Sequence, residues 1–155
     1  MAQNLALRRS SEDKRRFDLP GVGSLQLPRW PSRATLATPI EGAALTLVAD
    51  RRACRAFDTA EREVGTSAST MRRNLIVAVR WHDTEYELRA LEREGTVYIL
   101  SASDRDLAVI QPHGRRSGAT IGVGETSIDP SLLLYVIWLA QRFREQAIPP
   151  AAIDG

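Results

Sequence analysis

The fold is decided by one stretch near the C-terminus, Asp129-Pro130-Ser131-Leu132-Leu133-Leu134-Tyr135-Val136-Ile137-Trp138-Leu139-Ala140. Asp129 is a favourable N-cap residue, and Pro130 suits the first turn of a helix. Residues 132–140 are all apolar, so they cover the whole circumference of the predicted helix. A helix that is apolar on every side has to be buried on every side.

The predicted helix spans about residues 130–145 and becomes polar only in its last turn, where Arg142 and Arg144 suit the negative end of the helix dipole. Burial of its nine apolar residues at about 1.5–3 kcal/mol each makes it the stability centre of the domain. It can be buried inside a β-barrel or in an interface between subunits. We favour the barrel interior.

The preceding residues alternate between apolar and polar side chains, with turn residues every eight to twelve positions. Evenly spaced strands joined by hairpins predict an antiparallel meander. The fold class is therefore mostly β: an antiparallel barrel, or a strongly curled sheet, that encloses one hydrophobic C-terminal helix. The predicted strands are residues 24–27, 44–49, 54–57, 63–67, 75–81, 85–91, 96–101, 107–111 and 119–123.

A chain of 155 residues has the size of one domain. Residues 1–16 are polar and lack periodicity, which predicts a flexible N-terminal arm. Residues 17–146 form the predicted domain, and 147–155 form a tail. Trp30 lies between two prolines, and we expect its indole to be buried against the core.

The composition limits the possible functions. The formal net charge is only +2, so a dedicated nucleic-acid binder is not expected. Cys54 is the only cysteine, which excludes an intrachain disulfide and a zinc–cysteine cluster. The N-terminus has no secretory signal, and the apolar run 132–140 is shorter than the roughly 20 residues that a membrane-spanning helix needs. We expect a cytoplasmic protein.

The pattern of strands and an apolar C-terminal helix resembles the tubby C-terminal domain and its relatives, the phospholipid scramblases and the LURP-one-related proteins. The resemblance covers about residues 40–143. It is carried by residues 47–58 followed by Glu63-Val64-Gly65, by 81–91, by Ile121-Gly122 and by 129–140. It implies a β-barrel around a central hydrophobic helix and a non-enzymatic binding or scaffold module.

The chain differs from that family in two ways. Eight or nine strands are predicted where the family closes its barrel with twelve, which implies a reduced or open barrel. The phosphoinositide-binding members use a basic site that contains lysine, whereas the single lysine here, Lys14, lies in the predicted arm. Lipid binding therefore cannot be assigned to matching residues.

The residues that could carry catalysis are few. His82 and His113 are the only histidines, and both lie in predicted turns or loops. Asp83 follows His82, but adjacent residues on a strand point to opposite faces. Nothing near Cys54 indicates an activated thiolate. No spacing of metal ligands or phosphate-binding loop occurs, so we predict no enzyme, no cofactor and no metal.

Arginine pairs are the best binding candidates. They occur in turns at Arg51-Arg52, Arg72-Arg73 and Arg115-Arg116. Guanidinium groups pair well with phosphate oxygens, and anionic membranes attract such clusters. The predicted ligand-binding residues are Arg72, Arg73, Arg115 and Arg116. The predicted partner is an anionic membrane surface or another protein, and the alternatives are a pleckstrin-homology-like domain or an obligate subunit of an assembly.

Overall fold

The structure, a computed structural model, describes residues 3–71, 75–92, 95–114, 117–124 and 128–147. Within these residues the chain forms twelve strands and one helix. The strands are β1 (Gln3–Arg9), β2 (Arg16–Leu19), β3 (Gly23–Gln26), β4 (Thr35–Pro39), β5 (Leu45–Ala49), β6 (Ala53–Phe57), β7 (Glu63–Ala68), β8 (Ile76–Trp81), β9 (Thr84–Ala90), β10 (Tyr98–Ala102), β11 (Arg105–Pro112) and β12 (Ala119–Val123), and the helix is α1 (Pro130–Ala147).

The twelve strands form a closed barrel in which each strand pairs antiparallel with its neighbours in the sequence. β1 closes the barrel because it pairs with both β12 and β2. This confirms the predicted antiparallel barrel and corrects the predicted strand number, which was eight or nine. It differs from a pleckstrin-homology-like sandwich, which is open at a corner that an amphipathic helix covers.

Side chains alternate across the barrel wall as the sequence predicted. In β8, Val77, Val79 and Trp81 point inward and are buried, whereas the residues between them are exposed. Gly65 on β7 lies opposite Trp81. A Cβ atom at Gly65 would overlap the indole ring, so glycine at this position gives Trp81 room to lie against the wall.

The helix α1 lies inside the barrel, as predicted. Residues 132–140 are all buried, and none exceeds 5% exposure. The hydroxyl of Tyr135 donates a hydrogen bond of 2.6 Å to the backbone carbonyl of Cys54 and lies 3.4 Å from the hydroxyl of Ser67. The nine side chains contain two polar groups, the hydroxyl of Tyr135 and the indole N–H of Trp138. The hydroxyl of Tyr135 therefore has its hydrogen-bond partner in the barrel wall.

Side-chain hydrogen bonds fix both ends of α1. At the N-terminus, the carboxylate of Asp129 accepts a hydrogen bond of 3.0 Å from the backbone N–H of Ser131, which confirms the predicted N-cap. At the C-terminus, the side-chain amide of Gln146 donates a hydrogen bond of 3.2 Å to the backbone carbonyl of Ser69. The helix thus runs from one opening of the barrel to the other.

The N-terminal segment differs from the predicted flexible arm. Residues 3–9 form β1, and Leu7 on this strand is 1% exposed. The segment is needed to close the barrel, because β1 is the strand that lies between β12 and β2 and pairs with both. The alternation of apolar residues in β1 is limited to Leu5 and Leu7 and is followed by the charged residues Arg8 and Arg9, so it is too short to predict a strand.

Trp30 also differs from its prediction. Its side chain is 92% exposed, in the connection between β3 and β4. The barrel interior is already filled by α1, so an indole from this connection has no place in the core. Trp30 is instead the most exposed large apolar side chain of the described residues.

Candidate functional site at the basic end of the barrel

The connections between strands alternate between the two openings of the barrel, because successive strands are antiparallel. Six connections lie at the opening where α1 ends, and their described residues are 10–15, 27–34, 50–52, 69–71 with 75, 91–92 with 95–97, and 113–114 with 117–118. We call this opening, with the last turn of α1, the basic end. The described residues of the other opening are 20–22, 40–44, 58–62, 82–83, 103–104, 124 and 128–129, and we call it the acidic end.

Charge is unevenly divided between these two ends. Among the described residues, the basic end carries eight basic residues, namely Lys14, Arg15, Arg29, Arg33, Arg51, Arg52, Arg142 and Arg144. Its described acidic residues are Glu12, Asp13, Asp50, Glu92 and Glu145. In the described part of the acidic end, six acidic residues, Glu41, Asp58, Glu61, Asp83, Asp104 and Asp129, face a single basic one, Arg62.

This division is hidden by the small net charge of +2. The described part of one end has a surplus of three positive charges, and that of the other has a surplus of five negative charges. The dipole of α1 is oriented favourably in this arrangement, because its negative C-terminus lies at the basic end. The described connections are therefore basic at one opening of the barrel and acidic at the other.

The four arginines predicted as ligand-binding residues, Arg72, Arg73, Arg115 and Arg116, lie outside the described residues. Their described neighbours in the sequence can be placed. Met71 and Leu75 belong to the β7–β8 connection, and Gly114 and Ser117 belong to the β11–β12 connection. Both connections join strands at the basic end.

The third arginine pair is described in full. Arg51 and Arg52 are exposed in the turn between β5 and β6, at the basic end. Asp50 in this turn accepts hydrogen bonds from the backbone N–H groups of Arg52, at 2.7 Å, and Ala53, at 2.9 Å. These hydrogen bonds, with the nearby positive charge of Arg55, lower the pKa of Asp50 from its usual value of 3.8. Asp50 therefore organises the turn that presents the two guanidinium groups.

A pocket of about 400 Å³ opens at the basic end, between the β3–β4 connection and the last turns of α1. Its apolar wall includes Phe17, Leu27 and Trp138, and its polar wall includes Arg33, Arg142 and Glu145. A second cavity of about 360 Å³ shares the wall at Leu27 and is lined by three cationic side chains. These are Arg9, Lys14 and Arg15.

Arg142 is the central polar residue of the larger pocket. Its guanidinium carbon lies 5.4 Å from the centre of the Trp138 ring, a cation–π contact. The Nε atom of Arg142 is buried and has no hydrogen-bond partner among the described residues. Arg142 also lies beside the thiol of Cys54, but burial dominates there and raises the pKa of that thiol. Cys54 is thus a buried core residue with little thiolate character.

Exposed apolar side chains accompany the charges at the basic end. Trp30 and Leu91, which is 56% exposed, lie in two of its connections. Arg29 beside Trp30 forms an ion pair of 3.1 Å with Asp13 in the neighbouring β1–β2 connection. Another exposed apolar residue, Ile40, lies at the acidic end, so apolar exposure alone does not distinguish the two openings.

The two histidines are not brought together. His82 is exposed in the β8–β9 turn at the acidic end, and His113 is exposed at the basic end, where its Nε2 lies 2.6 Å from the hydroxyl of Thr120. Cys54 faces the barrel interior. Within the described ranges, no group of three or more metal-ligating side chains occurs.

Sequence reasoning missed several residues of this end, namely Trp30, Arg33, Trp138 and Arg142. Arg33 and Arg142 have no adjacent arginine, so the search for arginine pairs did not identify them. Trp138 was predicted only as a core residue of the helix. No helix in the described part of the chain has the length and apolar character of a membrane span.

Comparisons with protein-family models, curated proteins and solved structures found no match to this chain.

Proposed function

We propose that the protein is a non-enzymatic binding module that docks the basic end of its barrel on an anionic phospholipid surface. The observation that carries the proposal is the separation of charge between the two openings of the barrel. A surface with a surplus of arginine at one end and carboxylates at the other has one favourable orientation toward a negative membrane. The carboxylates then face away from the lipid.

The distance between the two ends makes this separation effective. A strand of five residues, such as β6, is roughly 17 Å long. Charges in physiological salt are screened over about 8 Å, so the acidic end contributes little repulsion at the membrane. Each basic residue close to an anionic leaflet contributes about 1 kcal/mol. The described surplus at the basic end is therefore sufficient for weak, salt-sensitive docking.

Trp30 gives the basic end an apolar contact with the lipid. Its indole is exposed among arginines, in the same connection as Arg29 and Arg33. Tryptophan is enriched at membrane interfaces because its ring is apolar and its N–H is polar. Docking of the basic end would bury this ring at the headgroup level.

The resemblance to tubby-like and scramblase-like proteins is consistent with this proposal. Twelve strands that close around an apolar helix form the arrangement that the resemblance implied. The barrel is closed by twelve strands and is therefore neither reduced nor open. The membership of that family, a cytoplasmic location and the absence of catalysis remain parts of the proposal.

Two alternatives to membrane docking are an acidic protein partner and an obligate assembly. A protein partner with an acidic face would also fit the basic end. An obligate assembly would bury the apolar helix between subunits. Because α1 is buried inside its own barrel, it does not need a second subunit for its burial. Binding to vesicles separates the membrane from an acidic protein surface as the partner.

The test is co-sedimentation with vesicles of neutral phosphatidylcholine and with vesicles that contain anionic phosphatidylserine, at low and at high salt. We expect binding to the anionic vesicles alone, weaker at high salt. The double variant Arg51/Arg52→Ala should weaken binding roughly thirty-fold, at about 1 kcal/mol for each residue. Arg115/Arg116→Ala tests the predicted pair outside the described residues in the same way.

The matched control is Arg62/Arg105→Ala, which also removes two exposed arginines. Arg62 lies in the β6–β7 connection at the acidic end, and Arg105 is the first residue of β11, directly after the β10–β11 connection of that end. This variant should bind anionic vesicles as well as the wild type or better. Equal losses in both double variants would point to net charge rather than an oriented surface. No binding to anionic vesicles would remove lipid and favour an acidic protein partner.

A further inference from the structure

The pocket at the basic end combines features that docking on a flat surface does not require. It has a volume of about 400 Å³ and lies where the last turns of α1 meet the β3–β4 connection. Pockets that bind small molecules have volumes of about 300–1,000 Å³ and few, well-placed polar groups. This pocket has that size, and polar and apolar groups contribute about equally to its lining.

Its apolar wall is preformed. Phe17 and Trp138 are 2% and 5% exposed, so both rings are held in the core, and Leu27 packs partly buried against the same core. A ligand that contacts them finds rigid walls, which lowers the entropy cost of binding. The apolar part of the lining suits a short hydrocarbon chain, whereas the polar part suits a charged headgroup.

Its polar wall includes the guanidinium group of Arg142, which also hydrogen-bonds to the thiol of Cys54. The Nε of Arg142 is buried without a hydrogen-bond partner among the described residues, and its guanidinium group lies over the Trp138 ring. A thiol is a weak acceptor, whereas a carboxylate or phosphate oxygen accepts a stronger, charge-assisted hydrogen bond from a guanidinium group. Arg33 adds a second, exposed cation to the same pocket.

We propose that this pocket binds a single-chain amphiphile with an anionic headgroup, a carboxylate or a phosphate monoester. The headgroup lies against Arg142 and Arg33, and the chain lies against Phe17, Leu27 and Trp138. Glu145 opposes the headgroup from the exposed rim, where water reduces its effect. This site goes beyond membrane docking, because it holds one molecule and does not need a bilayer.

The probes are decanoate and decyl phosphate at concentrations at which both are monomeric, with inorganic phosphate and decanol as controls. Isothermal titration calorimetry should give one saturable site for each anionic amphiphile and much weaker binding of both controls. Inorganic phosphate that binds as tightly as decyl phosphate would overturn the role of the apolar wall. Decanol that binds as tightly would overturn the role of the arginines.

Tryptophan fluorescence gives a second readout. In a Trp30→Phe background, the remaining tryptophans are Trp81 and Trp138. Trp81 lies at the acidic end, away from the pocket, so a change in emission as the ligand enters reports on Trp138, because the headgroup draws the guanidinium of Arg142 away from the Trp138 ring. The change should saturate at the same ligand concentration as the heat of binding. Saturable heat without any change in emission would place the ligand elsewhere and contradict the proposal.

Variants locate the site. Arg142→Met and Arg33→Gln should each weaken decanoate binding about tenfold or more, since each removes a charged donor. Arg33 is exposed, so its variant remains informative if Arg142→Met does not fold. Glu145→Gln should strengthen binding, and Ala49→Leu, which fills the pocket from β5, should abolish it. Unchanged affinity in Arg33→Gln and Ala49→Leu would exclude this pocket.

Arg51→Gln separates this inference from the proposed membrane docking. Arg51 lies at the basic end but does not line the pocket. The variant should bind decanoate as the wild type does and bind anionic vesicles more weakly. A protein that binds vesicles but no decanoate would leave docking in place and reject the pocket. Decanoate binding without vesicle binding would do the reverse.

Discussion

The indole N–H of Trp81 donates a hydrogen bond of 3.1 Å to the carboxylate of Asp129. Trp81 is the last residue of β8, and Asp129 is the N-cap of α1, so this contact joins the wall of the barrel to the helix inside it. The other oxygen of the same carboxylate caps the helix. One side chain therefore fixes both the start of α1 and its position in the barrel.

Replacement of Asp129 by alanine should destabilise the fold by about 1–3 kcal/mol. It removes the N-cap, which is worth about 1 kcal/mol, and leaves the indole N–H of the buried Trp81 without its acceptor. Urea denaturation measures the loss. Asp83→Ala removes an exposed carboxylate from the same end and should change stability by less than about 0.5 kcal/mol. Equal effects of the two variants would contradict the role of Asp129.

A charge in the centre of α1 should prevent folding. Leu134 is fully buried, and Leu134→Asp places an unpaired carboxylate inside the barrel, at a cost of several kcal/mol. We expect no soluble, folded protein by circular dichroism. Leu36→Asp is the control, because Leu36 is 43% exposed on the outer face of β4. A folded Leu134→Asp protein with the melting temperature of the wild type would show that the helix is not buried.

Stability should fall in alkaline solution because of Tyr98. Burial of this side chain raises the pKa of Tyr98 from 10.0 to about 12. The unfolded chain therefore loses the phenolic proton first, and stability that is fully present below pH 10 is lost as the pH rises toward 12. In Tyr98→Phe, the fall between pH 10 and 12 should be smaller. Urea midpoints across this range measure it, and identical slopes in both proteins would contradict the assignment.

The helix and the central strands could be predicted because their signals are local. Residues 132–140 exclude any exposed face, and Val77, Val79 and Trp81 alternate strictly with exposed residues. The missed strands are short or carry a weaker signal: β2 alternates over only four residues, Arg16–Leu19. In β4 the inward residues include Thr35 and Ala37, which are small, while Leu36 points outward. The small inward side chains leave room for α1, which packs against β4. The strand therefore has its largest apolar side chain, Leu36, on the outer face, which is the reverse of the usual hydropathy pattern.

The basic end could be predicted only in part, because the end at which a connection lies depends on the number of strands before it. Three missed strands, β1, β2 and β4, precede or flank the first connections. Without them, Arg29 and Arg33 could not be assigned to the same opening as Arg51. The arginine pairs were recognisable from the sequence, whereas the contact of Arg142 with Trp138 depends on a helix that ends at the mouth of the barrel.

The most direct test of membrane docking measures which end of the barrel meets the lipid. An environment-sensitive fluorophore is attached at Ser32→Cys, in the exposed β3–β4 connection, or at Thr59→Cys, in the exposed β6–β7 connection at the opposite end. Cys54 is buried, so the introduced thiol is labelled selectively. With anionic vesicles, the probe at residue 32 should brighten and shift to the blue, and the probe at residue 59 should not change. A response at residue 59 alone, or equal responses at both positions, would contradict docking through the basic end.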